Sequence, residues 1–404
     1  MSTTYREYID QLNQEHTPGF YEQFKDIFKR ALGVFLYDIS GNPYLDCMSA
    51  FSAVNQGHCH DRIVAALVQQ AGLMACTGQK IKNDVTPKFL KFLCELIGFD
   101  QCFMANSGVE AVEGGNKLAR KYAFEIMGLP MGQGKIIVAE HNFHGRTSLA
   151  LAMSTDQSSK RGFGPFPEGF IPVPFNDIET MKDAVERNPD VIAICIEPIQ
   201  GEAGIIIPDG NYLQQVRDLC TKKEILFIAD EIQSGLSRCG ELTACSLFNV
   251  KPDILLLGKA LSGGMLPISA VLANKKVMVA INERGVHGST FAASPLASAV
   301  AREAVQVILD EKLCENSTRM GKLLREGMRS IESPLILDIR GKGLMTGITV
   351  DPKISQKDLQ RELYEQKLIT CPAHEHFRIA PPTCANQENI HQIVDGFKNA
   401  LAQI

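Results

Sequence analysis

The chain of 404 residues lacks the long apolar runs, the one-sided charge and the repeats that mark several protein classes. No run of about 18 apolar residues occurs, so no membrane-spanning helix is expected. The formal net charge of −5 provides no general attraction to nucleic acid or to an anionic membrane. Hydrophobic residues make up 45% and charged residues 22%, which is ordinary for a soluble globular protein, and the length allows a large core or two to three domains.

Paired cysteine spacing is also missing, because the 12 cysteines are scattered along the chain. The start, MSTTYREYIDQLNQEH, has no apolar core of a secretory signal. We therefore expect reduced thiols and a cytoplasmic location. His58, Cys59 and His60 stand side by side, but adjacent loop residues rarely surround one ion, so no metal site is predicted.

Short apolar runs alternate with helical stretches, such as 108–127 and 211–223, through the middle of the chain. The runs are QCFMANSG, KIIVAEH, VIAICIEPI, ILFIADE, DILLLGKA and ISAVLANK. This alternation predicts an α/β fold with a mainly parallel sheet that is buried on both faces. We expect an N-terminal arm belonging to the small domain at 1–45, a large domain at 46–314 and a small α+β domain at 315–404.

Two glycine-rich nucleotide motifs are not matched. GLPMGQGKI has one residue too many between Gly128 and Gly134 for a P-loop, and Ile136 follows its lysine where Ser or Thr is needed. No G-x-G-x-x-G follows a predicted strand, so a Rossmann dinucleotide site has little support.

Three strand ends carry residues that suit one ligand. LFIADEIQSG ends a buried strand in Asp230, and DILLLGKALSGG sets Lys259 directly after the next strand. MANSGVEAVEGG sets Ser107 and the amides of Gly108 and Val109 at a helix N-terminus, which suits a phosphate. Each motif alone also fits a surface turn, an ordinary helix cap or a strand-end lysine. Together they are the parts that hold pyridoxal phosphate.

Nine motifs resemble those of the class III, fold type I, pyridoxal phosphate-dependent aminotransferases, nearest to the ornithine δ-aminotransferases. They are SAVNQGHCH, NSGVEAVE, NFHGRT, IEPIQGEAG, FIADEIQSG, LLGKALSGG, HGSTF, RGKGL and FRIAPP, in the family's order over nearly the whole chain. The resemblance implies a large domain around a seven-stranded sheet, pyridoxal 5'-phosphate as cofactor and a homodimer with a shared active site.

The resemblance also assigns the cofactor-binding residues. Lys259 would form the Schiff base, Asp230 would pair with the pyridinium nitrogen and Gln233 would bind the phenolic oxygen of the ring. The ring face would be covered by Phe143. The phosphate would be held by Ser107, Gly108 and Val109, completed by Ser289 and Thr290 from the other subunit.

For substrate binding, the resemblance names two arginines and a glutamate. Arg146 would bind the carboxylate farthest from the reacting carbon, and Arg378 the α-carboxylate of glutamate or 2-oxoglutarate. Glu202 would neutralise Arg378 while an ω-amine substrate is bound. Tyr21 would help hold the distal amino-acid group, and Phe51 stands where the ornithine enzymes have tyrosine.

These assignments imply an ω-amino-acid:2-oxoglutarate aminotransferase with ornithine as the predicted donor. The hydroxyl missing at Phe51 removes a contact of about 1–3 kcal/mol, so lysine, acetylornithine and 4-aminobutyrate stay open as donors. NFHGRT also carries His144 where an animal ornithine enzyme has tryptophan. An aminomutase and an inactive binding protein are two further hypotheses; the Glu202 and Arg378 pair argues against the first, and Lys259 against the second.

Overall fold

A seven-stranded sheet, here the central sheet, forms the middle of the computed structural model, which describes residues 3–20, 22–373 and 375–404. In spatial order its strands are β4 Gln101–Ala105, β10 Ser269–Ala273, β9 Ile254–Leu257, β8 Leu226–Asp230, β7 Val191–Ile196, β5 Lys135–Ala139 and β6 Phe170–Val173. β10 is antiparallel to both of its neighbours, and the other pairs are parallel. The predicted mainly parallel α/β sheet is therefore confirmed.

Alternate side chains of the central strands pack into two different cores. In β8, Phe227 and Ala229 belong to one core, and Leu226 and Ile228 belong to the core on the opposite face. Burial on both faces explains why these strands are continuous apolar runs. The apolar runs did not predict β6, which contains Pro172; a proline is tolerated there because β6 is an edge strand.

Two four-stranded sheets come from the ends of the chain. The N-terminal sheet consists of β1 Phe28–Leu32, β2 Phe35–Asp38, β3 Pro43–Asp46 and β13 Leu368–Ile369. The C-terminal sheet consists of β11 Ile336–Lys342, β12 Met345–Val350, β15 His376–Ile379 and β14 Cys371–Ala373. Because β13 pairs with β3, the two ends of the chain are joined. The domain boundaries at 45 and 314 stay a prediction.

Helices pack on the central and C-terminal sheets. In the described residues the right-handed α-helices are α1 Thr3–His16, α2 Asp61–Ala71, α3 Thr86–Ile97, α4 Gly108–Glu125, α5 Ser148–Met153, α6 Gln157–Lys160, α7 Ile178–Arg187, α8 Tyr212–Lys223, α9 Lys275–Met278, α10 Pro295–Asp310, α11 Leu313–Arg329, α12 Gln356–Glu365 and α13 Gln387–Leu401. Short 3₁₀ helices span Ala244–Phe248, Lys259–Ser262 and Val279–Ile281. None of the helices in these described ranges has the length and apolarity to cross a bilayer.

Candidate active site

The three strand-end motifs meet at one edge of the central sheet. Asp230 is the last residue of β8, Lys259 comes two positions after β9, and Ser107 comes two positions after β4. The carboxyl ends of parallel strands lie at a common edge, where ligands bind in open α/β sheets. A lysine, a carboxylate and a helix N-terminus therefore share one region.

Lys259 has an unusual backbone conformation, and its environment favours the neutral amine more than water does. Its backbone has φ +45°, in the left-handed region that non-glycine residues rarely adopt. Burial lowers the pKa of Lys259 to about 8, although the carboxylates of Glu202 and Asp230 favour its charged form. At neutral pH roughly a tenth of such an amine is unprotonated, far more than for an exposed lysine. The amine can thus act as a nucleophile.

Asp230 forms a buried pair with His144, a contact that no sequence motif predicted. Oδ2 of Asp230 lies 2.6 Å from Nδ1 of His144, and Oδ1 accepts the Ile232 N–H at 3.1 Å. Burial disfavours the charged imidazole, but the hydrogen bond and charge of Asp230, with Glu197, outweigh it and raise the pKa of His144. The pair fixes the orientation of the carboxylate that is predicted to face a pyridine nitrogen.

The N-terminus of α4 provides adjacent N–H groups that can donate hydrogen bonds to an anion. Ser107 caps the helix, with its Oγ accepting the Glu110 N–H at 3.3 Å. The amides of Gly108 and Val109 belong to the first turn, where an α-helix offers them no acceptor. The Glu110 carboxylate steadies the turn by accepting the Asn106 N–H at 2.7 Å. This arrangement fits a phosphate, and with Lys259 and Asp230 it fits pyridoxal phosphate.

Glu202, Arg378 and Gln233 form one hydrogen-bonded group, although 176 residues separate the first two. Oε1 of Glu202 accepts hydrogen bonds from Nη1 of Arg378 and, at 2.9 Å, from Nε2 of Gln233. Burial raises the pKa of Glu202, but the charge of Arg378 outweighs it, so the net direction is downward. A Cβ at Gly201 would collide with Gln233, so glycine allows this approach. The predicted charge pair is thus present geometrically.

Phe51 lies on a left-handed turn above Arg378. The four residues 49–52 have φ values of +51°, +47°, +57° and +74°. The carboxylate of Asp46 anchors the turn by accepting the N–H groups of Met48 and Ser49 at 2.9 and 2.8 Å. The Phe51 ring centre lies 5.1 Å from the Arg378 guanidinium carbon, a cation–π contact. The turn therefore directs an aromatic ring at the guanidinium of Arg378.

His58 and His60, the two histidines on either side of Cys59, have separate partners. Nε2 of His58 lies 2.7 Å from Oδ2 of Asp46, and Nε2 of His60 lies 2.8 Å from Oε1 of Glu311. The two rings thus contact carboxylates on different parts of the chain. These contacts give both histidines a structural role, and that of His58 supports the turn that carries Phe51.

Arg146 and Glu202 line the same small cavity. It has a volume of about 190 Å³, and its lining includes Phe143, His144 and Pro372 as well. The guanidinium carbon of Arg146 lies 5.3 Å from the Phe143 ring centre, and the arginine side chain is exposed. An exposed guanidinium at the rim of a cavity can bind a carboxylate in two places at once.

The remaining predicted residues are Ser289, Thr290 and Tyr21, and the structure describes the first two. Oγ of Ser289 accepts a hydrogen bond from Asn106 at 2.8 Å within the same chain, next to the helix cap. The backbone oxygen of Thr290 lies 3.6 Å from Sγ of Cys76. Tyr21 lies outside the described residues.

Glu197 is a buried carboxylate that the sequence motifs did not single out. It follows β7 directly, is 5% exposed, and accepts the N–H groups of Phe143 and Gly201, each at 3.1 Å. Burial raises the pKa of Glu197 to about 7. The strand-end argument that identified Asp230 also applies to Glu197, because its motif VIAICIEPI ends an apolar run in a carboxylate.

Known proteins of similar sequence and structure identify the family. The aminotransferase class-III profile matches residues 20–401. The mitochondrial ornithine aminotransferase of Drosophila melanogaster is 44% identical over 370 residues, which cover 91% of this chain and 85% of that protein. The ornithine aminotransferase structure from Toxoplasma gondii ME49 matches with a TM-score of 0.96 and 37% identity, covering 100% of this chain and 96% of that one.

A second enzyme name occurs among the similar structures. The acetylornithine aminotransferase from Elizabethkingia anophelis has a TM-score of 0.89 and 39% identity, covering 99% of each chain. These matches run over nearly the whole molecule and agree with the lysine, carboxylate and phosphate cradle described above. The chain belongs to the class-III aminotransferases and uses pyridoxal phosphate.

Proposed function

We propose that this class-III aminotransferase moves the ω-amino group of an amino acid to 2-oxoglutarate, and that its donor is ornithine. The observation that carries the proposal is the contact of Glu202 with Arg378. An enzyme that binds first an amino end without a carboxylate and then a dicarboxylate needs an internal anion to cover its arginine in the first case. The names of the Drosophila and Toxoplasma relatives support ornithine, whose product would be glutamate 5-semialdehyde.

The side chains at the sheet edge have separate tasks in this proposal. Bound pyridoxal phosphate supplies a ring that accepts electrons from the substrate carbon. Lys259 would hold the cofactor through its amine and, once the substrate amine has displaced it, the freed amine would move the proton at the reacting carbon, which its lowered pKa favours. Asp230, oriented by His144, would hold a proton on the pyridine nitrogen. Phe143 would cover the ring face, and Gln233, which donates to Glu202 at 2.9 Å, would bind the phenolic oxygen.

Each of the two arginines binds a carboxylate of a different substrate. Arg146 binds the distal carboxylate of the donor, since it is exposed at the cavity that Phe143 and Glu202 line. Arg378 binds the α-carboxylate of 2-oxoglutarate after Glu202 moves aside. Tyr21 completes the donor site as the family resemblance implies.

Acetylornithine is the rival donor with a specific observation in its favour. The Elizabethkingia acetylornithine enzyme is 39% identical, against 37% for the Toxoplasma ornithine enzyme. Phe51 also lacks the hydroxyl that a free amino group would use. An aminomutase is less favoured, because a mutase needs no arginine for an added dicarboxylate.

We also propose a homodimer with a shared active site. Leu73, Met74, Ile81 and Phe291 are 74%, 43%, 60% and 65% exposed, an unusual amount of apolar surface. Their two segments touch, since the Leu296 N–H donates to the Ala75 carbonyl at 3.3 Å. Burying this patch against a second copy would place Ser289 and Thr290 at the interface beside the phosphate cradles.

The cytoplasm is the location we propose. All 12 cysteines are free thiols, which is usual in a reducing compartment. A fluorescent fusion in the source cell tests this, and an organellar or secreted signal would contradict it.

A donor panel tests the proposed reaction. Rates of the purified holoenzyme are measured with ornithine, lysine, acetylornithine and 4-aminobutyrate, each with 2-oxoglutarate. We expect the highest kcat/KM with ornithine; if ornithine is the poorest donor by about tenfold or more, the assignment is wrong. Turnover without an added oxo-acid would indicate a mutase. Lys259→Ala is the control, and should lack both turnover and the visible absorption of lysine-bound cofactor.

A further inference from the structure

Arg238 is the largest side chain that is completely buried in the described part of the chain, with 0% exposure. Burial lowers the pKa of Arg238 to about 10, which still leaves it charged at neutral pH. Among the described residues, no carboxylate forms an ion pair with it. A buried cation without an anion is costly, and an apolar residue would fill the same space without that cost. We therefore expect the guanidinium to hold neighbouring groups at fixed positions.

The guanidinium connects three separate segments. Nη1 donates to the carbonyl oxygens of Leu344 at 2.8 Å and Pro381 at 2.6 Å, and Nη2 donates to Oδ1 of Asn55 at 2.6 Å. The planar fork of an arginine fixes the relative directions of such acceptors, which the single ammonium of a lysine does not.

Each segment carries a part of the carboxylate site. Pro381 comes three residues after Arg378, and Leu344 directly precedes β12, in which Gly347 pairs with Arg378. Asn55 comes four residues after Phe51. The guanidinium thus lies where the turn carrying Phe51 meets the sheet carrying Arg378.

The backbone of Arg238 connects these segments to β8, the strand that ends in Asp230. Arg238 comes eight residues after Asp230 at the end of β8. Its carbonyl oxygen accepts the Leu344 N–H at 3.2 Å and the Ser317 hydroxyl at 3.0 Å. Nδ2 of Asn55 in turn donates to the Leu236 carbonyl at 2.7 Å. The end of β8, which carries Asp230, is therefore connected to the sheet that carries Arg378 by a few hydrogen bonds. Arg238 donates some of these bonds and accepts others.

We propose that Arg238 is a positioning residue that sets the distance and direction of Arg378 relative to the cofactor, and so determines binding of the dicarboxylate acceptor. The inference rests on the proposed use of Arg378 for 2-oxoglutarate. The donor depends on it less, because the distal carboxylate of the donor is assigned to Arg146, which lies after β5 and makes none of these contacts.

The two half-reactions of the holoenzyme, followed separately by rapid mixing, test this role. Ornithine alone reports the first; 2-oxoglutarate added to enzyme that has reacted once with ornithine reports the second. In Arg238→Lys, loss of two charged hydrogen bonds should raise the apparent Kd of 2-oxoglutarate by roughly 30-fold. The apparent Kd of ornithine should change by less than about threefold.

Asn55→Ala and Arg325→Lys complete the comparison. Asn55→Ala removes one of the three hydrogen bonds of the guanidinium and should raise the apparent Kd of 2-oxoglutarate by about fivefold. This variant tests the proposal if Arg238→Lys fails to fold. Arg325 is a matched control: it is also lowered in pKa by burial and donates to the Gly343 carbonyl at 2.7 Å, but it contacts neither Asn55 nor Pro381. Arg325→Lys should leave both constants within about twofold of wild type, even if its Tm falls.

Three results would overturn the positioning role. They are an unchanged 2-oxoglutarate constant in Arg238→Lys and Asn55→Ala, an equal loss for both substrates, and the same loss in Arg325→Lys. A wild type that does not react with 2-oxoglutarate would instead refute the proposed function, and this inference with it.

Discussion

At the scale of single residues, the site contains backbone conformations that the local sequence would not choose. Four consecutive non-glycine residues at 49–52 and also Lys259 lie in the left-handed region. Each such residue costs roughly 1 kcal/mol or more, so surrounding contacts must stabilise them. At 49–52 the carboxylate of Asp46 provides such a contact to Ser49, and the imidazole of His58 in turn holds Asp46. The strain aims Phe51 at Arg378.

Phe51→Tyr tests how this residue affects donor choice. The new hydroxyl would give the free amino group of ornithine a partner, so ornithine should gain roughly tenfold in kcat/KM relative to acetylornithine. Competition between the two donors measures the ratio directly. Phe51→Leu is the control, because it lacks the hydroxyl and also the aromatic face over Arg378. An unchanged ratio in Phe51→Tyr would show that the hydroxyl has no part in selection.

At the scale of elements, the end of β8 uses two adjacent carboxylates differently. Asp230 pairs with His144 in the site, whereas Glu231 accepts the backbone N–H groups of Ala244 and, at 2.9 Å, Cys245. Both residues precede a turn, and the sequence allowed either a ligand carboxylate or a cap. In the structure Glu231 caps the 3₁₀ helix Ala244–Phe248, whereas Asp230 contacts His144 and stays available for the predicted ligand. The two adjacent side chains point in different directions, as successive side chains do at the end of a strand.

Glu231→Gln should flatten the pH dependence of stability. Burial raises the pKa of Glu231 from its ordinary 4.5 to about 7. Between these values the folded state binds more protons than the unfolded state, so the free energy of unfolding falls as pH rises. Between pH 5 and 8 the wild type should lose up to roughly 3 kcal/mol more than the variant. Chemical denaturation at several pH values measures this, and parallel curves would contradict it.

At the scale of the whole molecule, the site lies where different parts of the chain meet. The strand ends of the central sheet supply Asp230 and, two positions after β9, Lys259. The C-terminal sheet supplies Arg378, and the segment after β3 supplies Phe51. The nearby apolar patch of Leu73, Met74, Ile81 and Phe291 would extend this convergence to a second subunit.

Phe291→Asp should weaken the proposed dimer and its hold on the cofactor. In a two-fold interface one substitution buries two charges, so the dissociation constant should rise by roughly 100-fold or more. Light scattering across a dilution series measures the mass, and visible absorption measures bound cofactor. Met131→Asp is the matched control, since Met131 is 88% exposed but belongs to the segment between α4 and β5, outside the two segments that form the patch. A Phe291→Asp protein that stays dimeric and fully loaded would refute this interface.

The sequence by itself determined the local features of this protein. Six of the seven central strands, the helix capped by Ser107 and the positions of Asp230 and Lys259 at strand ends follow from apolar runs, turn residues and caps. These signals depend on neighbours a few residues away, so they are readable without a structure. The exception, β6, is short and contains Pro172, and its edge position is not visible in the sequence.

Only the tertiary structure decided which distant groups meet. His144 and Asp230 are 86 residues apart, and Arg238 and Asn55 are 183 apart. The resemblance to a family had named the Glu202 and Arg378 pair, but no local pattern contained the contacts of His144 and Arg238. The reason is physical: strand order and crossovers bring the strand ends together, and burial then makes each polar group require the particular partner that it finds there.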